Sequence, residues 1–449
     1  MDRDMTLPEK HGLTVLYEDN HLLVVEKPVN IPVQSDLSGD EDLCSKCKAY
    51  LKEEGNKPGE AYLGLVHRLD RPVGGVMVFA KTSKAAARLT EQFKGHGAGK
   101  RYVAIVCGEA PSADYLTDTL LKDEKTNTTS VVPPETPGGK IAKLSYEKIG
   151  SGGGTSLLDI TLYTGRSHQI RVQLSHAGLP ILGDQRYHPD AVAASRGEGK
   201  PLKRTQICLW AYALTLTHPT LGEKMTFFSV PRGKEWERYP AQMELLPAFR
   251  CCSGLWSDRE LLAVDKRAGV ETEELASELG GILPEVYPVH RLDANTRGVL
   301  LLAKTEESRE ALEKAFRDHT IEKTYLAVVA GTPEPRQGHL KHFAKKDPEK
   351  ALMTLCGEKE PGALRMELDY RVLRERNGCS LVEIGLQTGR THQIRVQMAA
   401  VGHPVLGDDK YGDREKNRQY RQKTQMLLCK RMRVNGMTFE SCKELEIPT

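Results

Sequence analysis

Two sets of polar residues that could do chemistry recur in this chain in the same order. Each set holds one aspartate, one tyrosine, one histidine and three arginines. The first set is Arg68, Asp70, Tyr102, Arg166, His168 and Arg171, and the second is Arg291, Asp293, Tyr325, Arg390, His392 and Arg395. Each set therefore offers a carboxylate for nucleophilic attack or electrostatic support, a phenol, and guanidinium groups that can bind phosphate.

Asp70 and Asp293 are the acidic groups of the two sets, and each follows a His-Arg-Leu triplet at the mouth of an apolar strand. A carboxylate that is partly removed from water tends to protonate unless an opposite charge within about 4 to 6 Å holds it ionised. We predict that Arg171 does this for Asp70 and Arg395 for Asp293. A purely structural ion pair is the alternative, but the recurrence of the whole set favours chemistry.

The histidines and tyrosines of the repeated segments have a structural interpretation beside a functional one. His67 and His290 each follow a valine, which favours a buried, hydrogen-bonded imidazole over a base or a metal ligand. Tyr102 and Tyr325 lie on predicted strands that are otherwise core, so simple packing competes with a role in a site.

Arg166 and Arg390 precede a predicted helix, and a helix start suits phosphate because its first backbone N–H groups are unpaired. A solvated surface arginine is the competing interpretation. Ser167 and Thr391 stand where an N-cap residue belongs, so we predict that they cap these helices. A glycine near position 178 or 402 is placed to end each helix.

The chain repeats itself once. The segment His67–Asp70 recurs as His290–Asp293 at an offset of 223 residues, and the segment Thr164–Gln173 recurs as Thr388–Gln397 at an offset of 224. A period of this length indicates a duplicated domain, since the units of solenoids run to roughly 20 to 50 residues. We place the boundary near residue 248, which predicts one domain over 1–248 and a second over 249–449.

Each copy mixes strands and helices. Residues 15–17 and 22–25 are predicted to form a hairpin. Residues 261–264 are predicted to form the strand of the second copy that corresponds to residues 22–25. Apolar stripes predict a helix after each His-Arg-Leu-Asp segment. The glycine-rich residues 150–154 lack a P-loop lysine and are interpreted as a hairpin loop. Antiparallel strands with a few packed helices favour the α+β class, with a mixed, mainly antiparallel sheet in each copy.

Length and composition are those of a soluble protein with two or three domains. The chain has 449 residues, 39% hydrophobic and 28% charged, with a net charge of +3. That net charge is too small for the protein to bind nucleic acid through its overall positive charge alone. Any RNA contact therefore depends on the local placement of arginines. No run approaches the roughly 18 to 20 apolar residues of a membrane span. The charged start at Asp2, Arg3 and Asp4 does not resemble a signal peptide, and we expect a cytoplasmic protein.

The ten cysteines are expected to be reduced thiols, because they are scattered through a long chain without a signal peptide. Cys44 and Cys47 form a Cys-x-x-Cys pair, but zinc prefers four ligands and only two are present. Leu43, Cys47, Tyr50 and Leu51 also share one face of a predicted helix. We therefore expect no metal site here.

The two repeated motifs resemble those of the RluA family of pseudouridine synthases, namely the His-Arg-Leu-Asp segment and the Gly-Arg-x-His-Gln-Ile-Arg segment with a tyrosine between them. The resemblance covers nearly the whole chain, once per copy. It implies a mixed, largely antiparallel sheet around a central cleft, and conversion of uridines in structured ribosomal or transfer RNA to pseudouridine. It also implies that no cofactor and no metal are needed, and we expect a monomer.

By position, the resemblance assigns a role to each member of the two sets. The aspartates would be catalytic, the arginines at 171 and 395 would pair with them, and the tyrosines would stack on the base and assist proton removal. The arginines at 68 and 291 would help to extrude the uridine, while those at 166 and 390, with the histidines at 168 and 392, would contact RNA. The family usually has Thr-Ser-Gly after the aspartate, whereas this chain has Val73-Gly74-Gly75 and Thr296-Arg297-Gly298.

Other functions compete with this one. One or both copies could be RNA-binding modules, although binding alone does not require a carboxylate in an anionic ligand's cleft. A nucleoside hydrolase usually needs a second carboxylate to activate water. A metal hydrolase using His67, Asp70 and His168 is the most distant alternative.

Overall fold

The computed structural model describes residues 6–36, 39–55, 59–95, 97–198, 205–347 and 352–448. The chain divides into two compact units, Met1–Tyr239 and Pro240–Thr449. The division falls before the boundary near residue 248 that the sequence suggests, because residues 240–248 form two short helical turns that pack on the first strand of the second unit. The N-terminal Asp2, Arg3 and Asp4 lie outside the described residues.

The first unit holds eleven strands and five α-helices within its described residues. The strands are β1 Thr14–Glu18, β2 Leu22–Lys27, β3 Gly64–Leu65, β4 Gly74–Ala80, β5 Gly99–Cys107, β6 Ala113–Asp123, β7 Thr128–Val132, β8 Lys140–Gly152, β9 Thr155–Leu162, β10 Leu209–Thr217 and β11 Lys224–Phe228. The helices are α1 Leu7–Lys10, α2 Leu43–Glu54, α3 Ser83–Lys94, α4 Gln169–His176 and α5 Pro189–Ser195.

The second unit repeats this order. Its strands are β12 Cys252–Ser257, β13 Leu261–Lys266, β14 Tyr287–Pro288, β15 Arg297–Ala303, β16 Glu322–Ala330, β17 Gln337–Asp347, β18 Leu352–Leu355, β19 Leu364–Arg376, β20 Cys379–Leu386, β21 Leu427–Val434 and β22 Met437–Glu440. Its helices are α6 Pro240–Glu244, α7 Thr272–Gly280, α8 Glu306–Arg317, α9 Gln393–Ala400 and α10 Arg414–Gln419.

Each unit is built on one mixed sheet, and the two sheets have the same strand order. The first runs β1-β2-β4-β10-β5-β9-β8-β6-β7, with β3 and β11 as side pairings. The second runs β12-β13-β15-β21-β16-β20-β19-β17-β18, with β14 and β22 in the side positions. Only β4 with β10, and β15 with β21, pair in parallel among the described strands. The predicted α+β class and mainly antiparallel sheet are confirmed in both units.

Several local predictions are also confirmed. β1 and β2 form the expected antiparallel hairpin. The glycine-rich hairpin is present between β8 and β9, but its loop is shorter than predicted, since residues 150–152 belong to β8 and only 153–154 make the turn. Leu43, Cys47, Tyr50 and Leu51 are buried on one face of α2. Burial raises the pKa of the Cys44 thiol to about 11, which keeps it protonated at neutral pH. No helix among the described residues is long and apolar enough to cross a bilayer.

The close parallel pairing next to each aspartate segment requires glycine at one position. Gly75 has a φ of +127°, and a Cβ there would lie 2.2 Å from the carbonyl oxygen of Ala211. Gly298 has a φ of +111° and its Cβ would lie 2.2 Å from the carbonyl oxygen of Cys429. Both steric contact and backbone conformation therefore exclude a side chain. This is the glycine that both copies keep where the two preceding residues differ.

Candidate active sites

In each unit, the six residues predicted for the site line a single cleft. The cleft of the first unit has a volume of about 840 Å³ and that of the second about 480 Å³. Both volumes lie in the range of ordinary ligand pockets. Loop residues before β4 or β15, the strands β5 or β16, and the turn before α4 or α9 supply the lining. Segments about 100 residues apart in sequence thus meet at one place in each unit.

In the first unit, the predicted pair of Asp70 and Arg171 is present. Arg171 Nη1 donates to Asp70 Oδ2 at 3.3 Å. The other side of the same guanidinium donates from Nε and Nη2 to the two carboxylate oxygens of Asp184, both at 2.8 Å. Such a bidentate pair fixes the plane of the guanidinium. Asp184 therefore aims the remaining nitrogen of Arg171 at Asp70.

The second unit has the same arrangement. Arg395 Nη1 donates to Asp293 Oδ2 at 3.0 Å. Its Nε and Nη2 donate to Asp408 at 2.7 and 2.8 Å, and Nη2 also lies 3.4 Å from Asp409. Asp293 is 21% exposed and Asp70 is 26% exposed, whereas the arginines are at most 7% exposed. Each aspartate is therefore exposed to the cleft, while the arginine that it contacts is buried behind it.

Sequence reasoning missed the second carboxylate behind each arginine. Burial raises the pKa of Asp184 and Asp408, but the hydrogen bonds and charge of the paired arginine outweigh it, so both pKa values fall below the usual range. The two carboxylates are ionised at neutral pH as a result. A signal for them existed, because Leu-Gly-Asp recurs in both copies shortly after the arginine.

A buried lysine holds the loop that carries each aspartate, and this was also missed. Lys27 Nζ donates to the backbone carbonyls of Arg71 and Val73, at 2.9 and 2.8 Å, and to that of the residue after itself. Lys266 Nζ also makes three bonds to backbone carbonyls in the second unit, to Arg267 and Val270 near itself and to Ala294 directly after Asp293. Burial lowers the pKa of Lys27 to about 7 and that of Lys266 to about 8. When protonated, each lysine has one hydrogen for each of its three acceptors. Two of these acceptors in the first unit and one in the second lie in the turn after the aspartate, so each lysine ties its own strand to that turn.

Tyr102 and Tyr325 lie on central strands and turn their rings into the clefts. Burial raises the pKa of Tyr102, and the charge of Asp70 raises it further. Burial likewise raises the pKa of Tyr325 well above its usual value, with contributions from Cys429 and Asp293. Both phenols are therefore protonated at neutral pH, and each offers an aromatic face beside the aspartate.

His67 and His290 are hydrogen-bonded structural histidines, as predicted. His67 Nε2 accepts from the backbone N–H of Val78 at 3.1 Å, and its ring stacks on Phe93. His290 accepts from the backbone N–H of Leu301 at 2.9 Å. Burial lowers the pKa of each imidazole to about 3. The accepted hydrogen bond requires an unprotonated Nε2, which agrees with a neutral ring.

The low pKa values of these two histidines lead us to expect a loss of folding stability in mild acid. The imidazole pKa is about 3 in the folded state and about 6.5 in the unfolded state, so the unfolded chain binds more protons between these values. Stability should then fall as the pH drops below about 6.5, by at most about 1.4 kcal/mol per pH unit for each histidine. Urea unfolding at pH 7 and pH 5 should show a smaller loss for His67→Asn than for the unaltered chain. Equal losses would contradict the assignment.

The predicted N-caps at Ser167 and Thr391 are wrong. The N-cap positions are held by His168 and His392, in the left-handed region with φ of 52° and 54°, and the helices begin at the next residue. In the first unit the Gln169 side chain closes this turn, since its Oε1 accepts from the backbone N–H of Arg166 at 3.0 Å. The serine lies inside that turn. The predicted stops are confirmed at 178 and 402, where glycine has positive φ.

The remaining arginines surround the cleft mouths. Arg166 and Arg390 are exposed, and each Nε donates to a backbone carbonyl of the neighbouring strand. Arg68 is exposed at the edge of the first cleft. Arg291 has two acidic neighbours at 4.0 and 3.8 Å, Glu271 and Glu273. The two clefts therefore differ in volume and in the charge around one arginine.

Similarity to known proteins agrees with this architecture. The signature of the RNA pseudouridylate synthase family matches residues 21–176 and 260–400. The chain belongs to this family, and it is an RNA pseudouridine synthase that carries the family's domain twice.

Individual relatives match between about a third and a half of the chain. The Escherichia coli K12 protein "Dual-specificity RNA pseudouridine synthase RluA" is 34% identical over 226 residues, which are 49% of this chain and 94% of that protein. The Zymomonas mobilis "Ribosomal large subunit pseudouridine synthase D" is 34% identical over 181 residues, or 36% of this chain and 56% of that protein. The solved structure of human RNA Pseudouridylate Synthase Domain Containing 4 is 25% identical, with a TM-score of 0.40, and covers 49% of this chain and 89% of that one.

Proposed function

We propose that both copies are active and that each isomerises uridines in structured ribosomal or transfer RNA to pseudouridine. One observation carries this proposal: each unit holds its own aspartate at a cleft, supported by a buried arginine that a second carboxylate orients. A unit that only bound RNA would not benefit from an anionic group facing the phosphates. The relatives named for RNA pseudouridylation support the same reaction.

The ionised aspartate is the group that begins the reaction in this proposal. A uridine in a duplex or stacked loop hides its sugar carbon, so it must first be turned out into the cleft, at a cost of a few kcal/mol. Asp70 or Asp293 then attacks C1′ of the ribose and displaces N1 of the base, or electrostatically supports departure of the base from C1′, as a carboxylate does in glycoside cleavage. In the first case the later bond from C5 to C1′ displaces the aspartate again. The uracil rotates in the pocket and rejoins the ribose through C5. Loss of the C5 proton completes the isomerisation without a cofactor or a metal.

The other residues of the clefts assist this sequence. Tyr102 and Tyr325 stack on the extruded base, which offsets part of the cost of unstacking, and their protonated hydroxyls help with the departing C5 proton. Arg68 and Arg291 fill the space that the uridine leaves. Because Arg291 has two glutamates within 4.0 Å, the charge at the mouth of the second cleft differs from that of the first, and we expect the two copies to prefer different uridine positions.

Arg166 and Arg390 are proposed to bind RNA phosphates at the cleft mouths. Arg166→Gln and Arg390→Gln should each weaken RNA binding uniformly across sequences. The slope of log affinity against log salt concentration should fall by about 1 per arginine removed. Filter binding at several salt concentrations measures this, with the exposed Arg374→Gln on β19 as a control that leaves the slope unchanged. An unchanged slope in both variants would overturn the assignment.

The state of the cysteines supports a proposal about where the protein acts. The cysteines, which are scattered through the chain, are not joined in disulfides in the part of it that the structure describes, and this suits the reducing cytoplasm. We propose that the protein acts there as a monomer.

The experiment that tests the proposal uses purified protein and RNA labelled with tritium at uridine C5. The proposal predicts tritium release that equals the pseudouridine formed, in the presence of a chelator. Release of free uracil instead would indicate a nucleoside hydrolase. Absence of tritium release from both ribosomal and transfer RNA would overturn the proposed substrates.

A further inference from the structure

The hydroxyl of Tyr187 connects two groups in the first cleft. It accepts a hydrogen bond from the backbone N–H of Thr129 at 2.9 Å and lies 2.5 Å from His168 Nδ1. A phenol has only one hydrogen to donate. Since a backbone N–H can only donate, the Tyr187 hydrogen is available for His168. Because the hydroxyl oxygen could equally accept a second hydrogen from Nδ1–H, the direction in which His168 Nδ1 accepts is part of the proposal below.

The second cleft repeats this connection with different neighbours. Tyr411 OH accepts from the backbone N–H of Met353 at 2.7 Å and lies 2.9 Å from His392 Nδ1. The two histidine and tyrosine rings meet edge to face at 5.5 Å in both units. The histidine backbone also has the same left-handed conformation in both, which a residue other than glycine rarely adopts. The two copies have diverged in sequence, yet each holds its own histidine ring in the same orientation.

The orientation aims the other ring nitrogen at the aspartate. His168 Nε2 lies 3.9 Å from Asp70 Oδ2, and His392 Nε2 lies 3.9 Å from Asp293 Oδ2. If Nδ1 accepts from the tyrosine, a neutral imidazole carries its hydrogen on Nε2. That hydrogen is then on the ring nitrogen that lies 3.9 Å from the aspartate oxygen that the arginine also contacts. No hydrogen bond from the described residues reaches Oδ1 of either aspartate.

We propose that Tyr187 and Tyr411 are positioning residues that lock His168 and His392 in the Nε2–H tautomer. Each histidine then donates to Oδ2 of its aspartate when the nucleotide closes the cleft, as apo contacts of this kind tighten in complexes. Arginine and histidine together hold one oxygen, and the other oxygen is presented to the ribose or base. This role rests on the proposed function, whereas the tautomer does not.

Charge around the imidazoles agrees with a neutral ring. Burial lowers the pKa of both His168 and His392, while the charge of the facing aspartate opposes this and the adjacent arginine reinforces it. The net shift is downward in both units. A neutral imidazole is the form for which the tautomer is defined.

Nitrogen NMR of the RNA-free protein tests the tautomer directly. Long-range ¹⁵N–¹H spectra of the histidine-labelled full chain distinguish a protonated from an unprotonated ring nitrogen, and the signals of His168 are assigned by their loss in His168→Gln. The proposal predicts the Nε2–H form at neutral pH in the unaltered protein, and a mixture of tautomers in Tyr187→Phe. An Nδ1–H form in the unaltered protein would overturn it, whether or not the protein proves to modify RNA.

Kinetics test the positioning role in a single-site protein. In the Asp293→Asn background, Tyr187→Phe should lower kcat on the order of 10- to 100-fold, since small misplacements of reacting groups have effects of this size. KM for RNA should stay within about twofold. Tyr50→Phe on α2 removes the hydroxyl bond of a buried tyrosine to Glu18 of β1 and serves as the matched control. An unchanged kcat in Tyr187→Phe, with the tautomer altered, would overturn the positioning role.

Discussion

The protein carrying both Asp70→Asn and Asp293→Asn should release no measurable tritium from labelled RNA, and each single variant should keep the activity of the other unit. Asparagine matches the shape of aspartate but cannot ionise, so the loss at an altered site should be ~1000-fold or more. Folding should be little affected, because both aspartates are partly exposed and Asp184 and Asp408 still compensate the buried arginines.

A matched control for this pair is the exposed Asp114→Asn on β6, which lies outside the residues lining the clefts and should leave tritium release unchanged. Two outcomes would contradict the prediction. Full activity in the double variant would remove the aspartates from the reaction altogether. Complete loss in one single variant and none in the other would make one copy an RNA-binding module.

Arg171→Met should produce the largest loss of stability together with a loss of activity. The substitution leaves Asp184, which is 1% exposed, as an uncompensated buried charge. Breaking a buried pair in this way costs about 3 to 5 kcal/mol. It also removes the cation that faces Asp70, so tritium release in the Asp293→Asn background should fall on the order of 100-fold. Urea unfolding and tritium release measure the two effects separately.

A second substitution separates the structural role of Arg171 from its role in the reaction. Arg171→Met with Asp184→Asn removes both charges of the buried pair, while the asparagine oxygen can still accept from the backbone N–H groups of Arg186 and Tyr187. Most of the lost stability should return, while the turnover should stay low because Asp70 still lacks its cation. Recovery of both stability and turnover would show that the arginine only serves the fold.

The pairing of the cleft aspartate with its arginine could be predicted from the sequence because the chain contains two copies of the domain that can be compared with each other. Asp70 and Arg171 are separated by about 100 residues, and nothing local joins them. Their recurrence at Asp293 and Arg395 with nearly the same spacing marked them as one set. The strands were also predictable, since β4 and β15 are apolar runs buried on both faces.

Other parts of the site could not be predicted because their signals are tertiary. The N-cap rule is local, and it placed the helix start at Ser167, whereas a side-chain bond from Gln169 moved the cap to His168. Lys27 resembles any strand-end lysine until the carbonyls that it binds, 44 and 46 positions away, are known. Asp184 follows a turn, and the sequence does not show that this turn brings its carboxylate against Arg171. Its position in a repeated Leu-Gly-Asp was the available clue.

The most direct test of two independent active sites is position-by-position mapping of pseudouridine in cells that lack the gene and carry one variant in its place. We expect Asp70→Asn and Asp293→Asn each to lose some modified positions or part of their occupancy, and the double variant to lose every position that depends on the gene. A single variant that restores every position fully, beside another that restores none, would contradict the claim that both clefts catalyse the reaction.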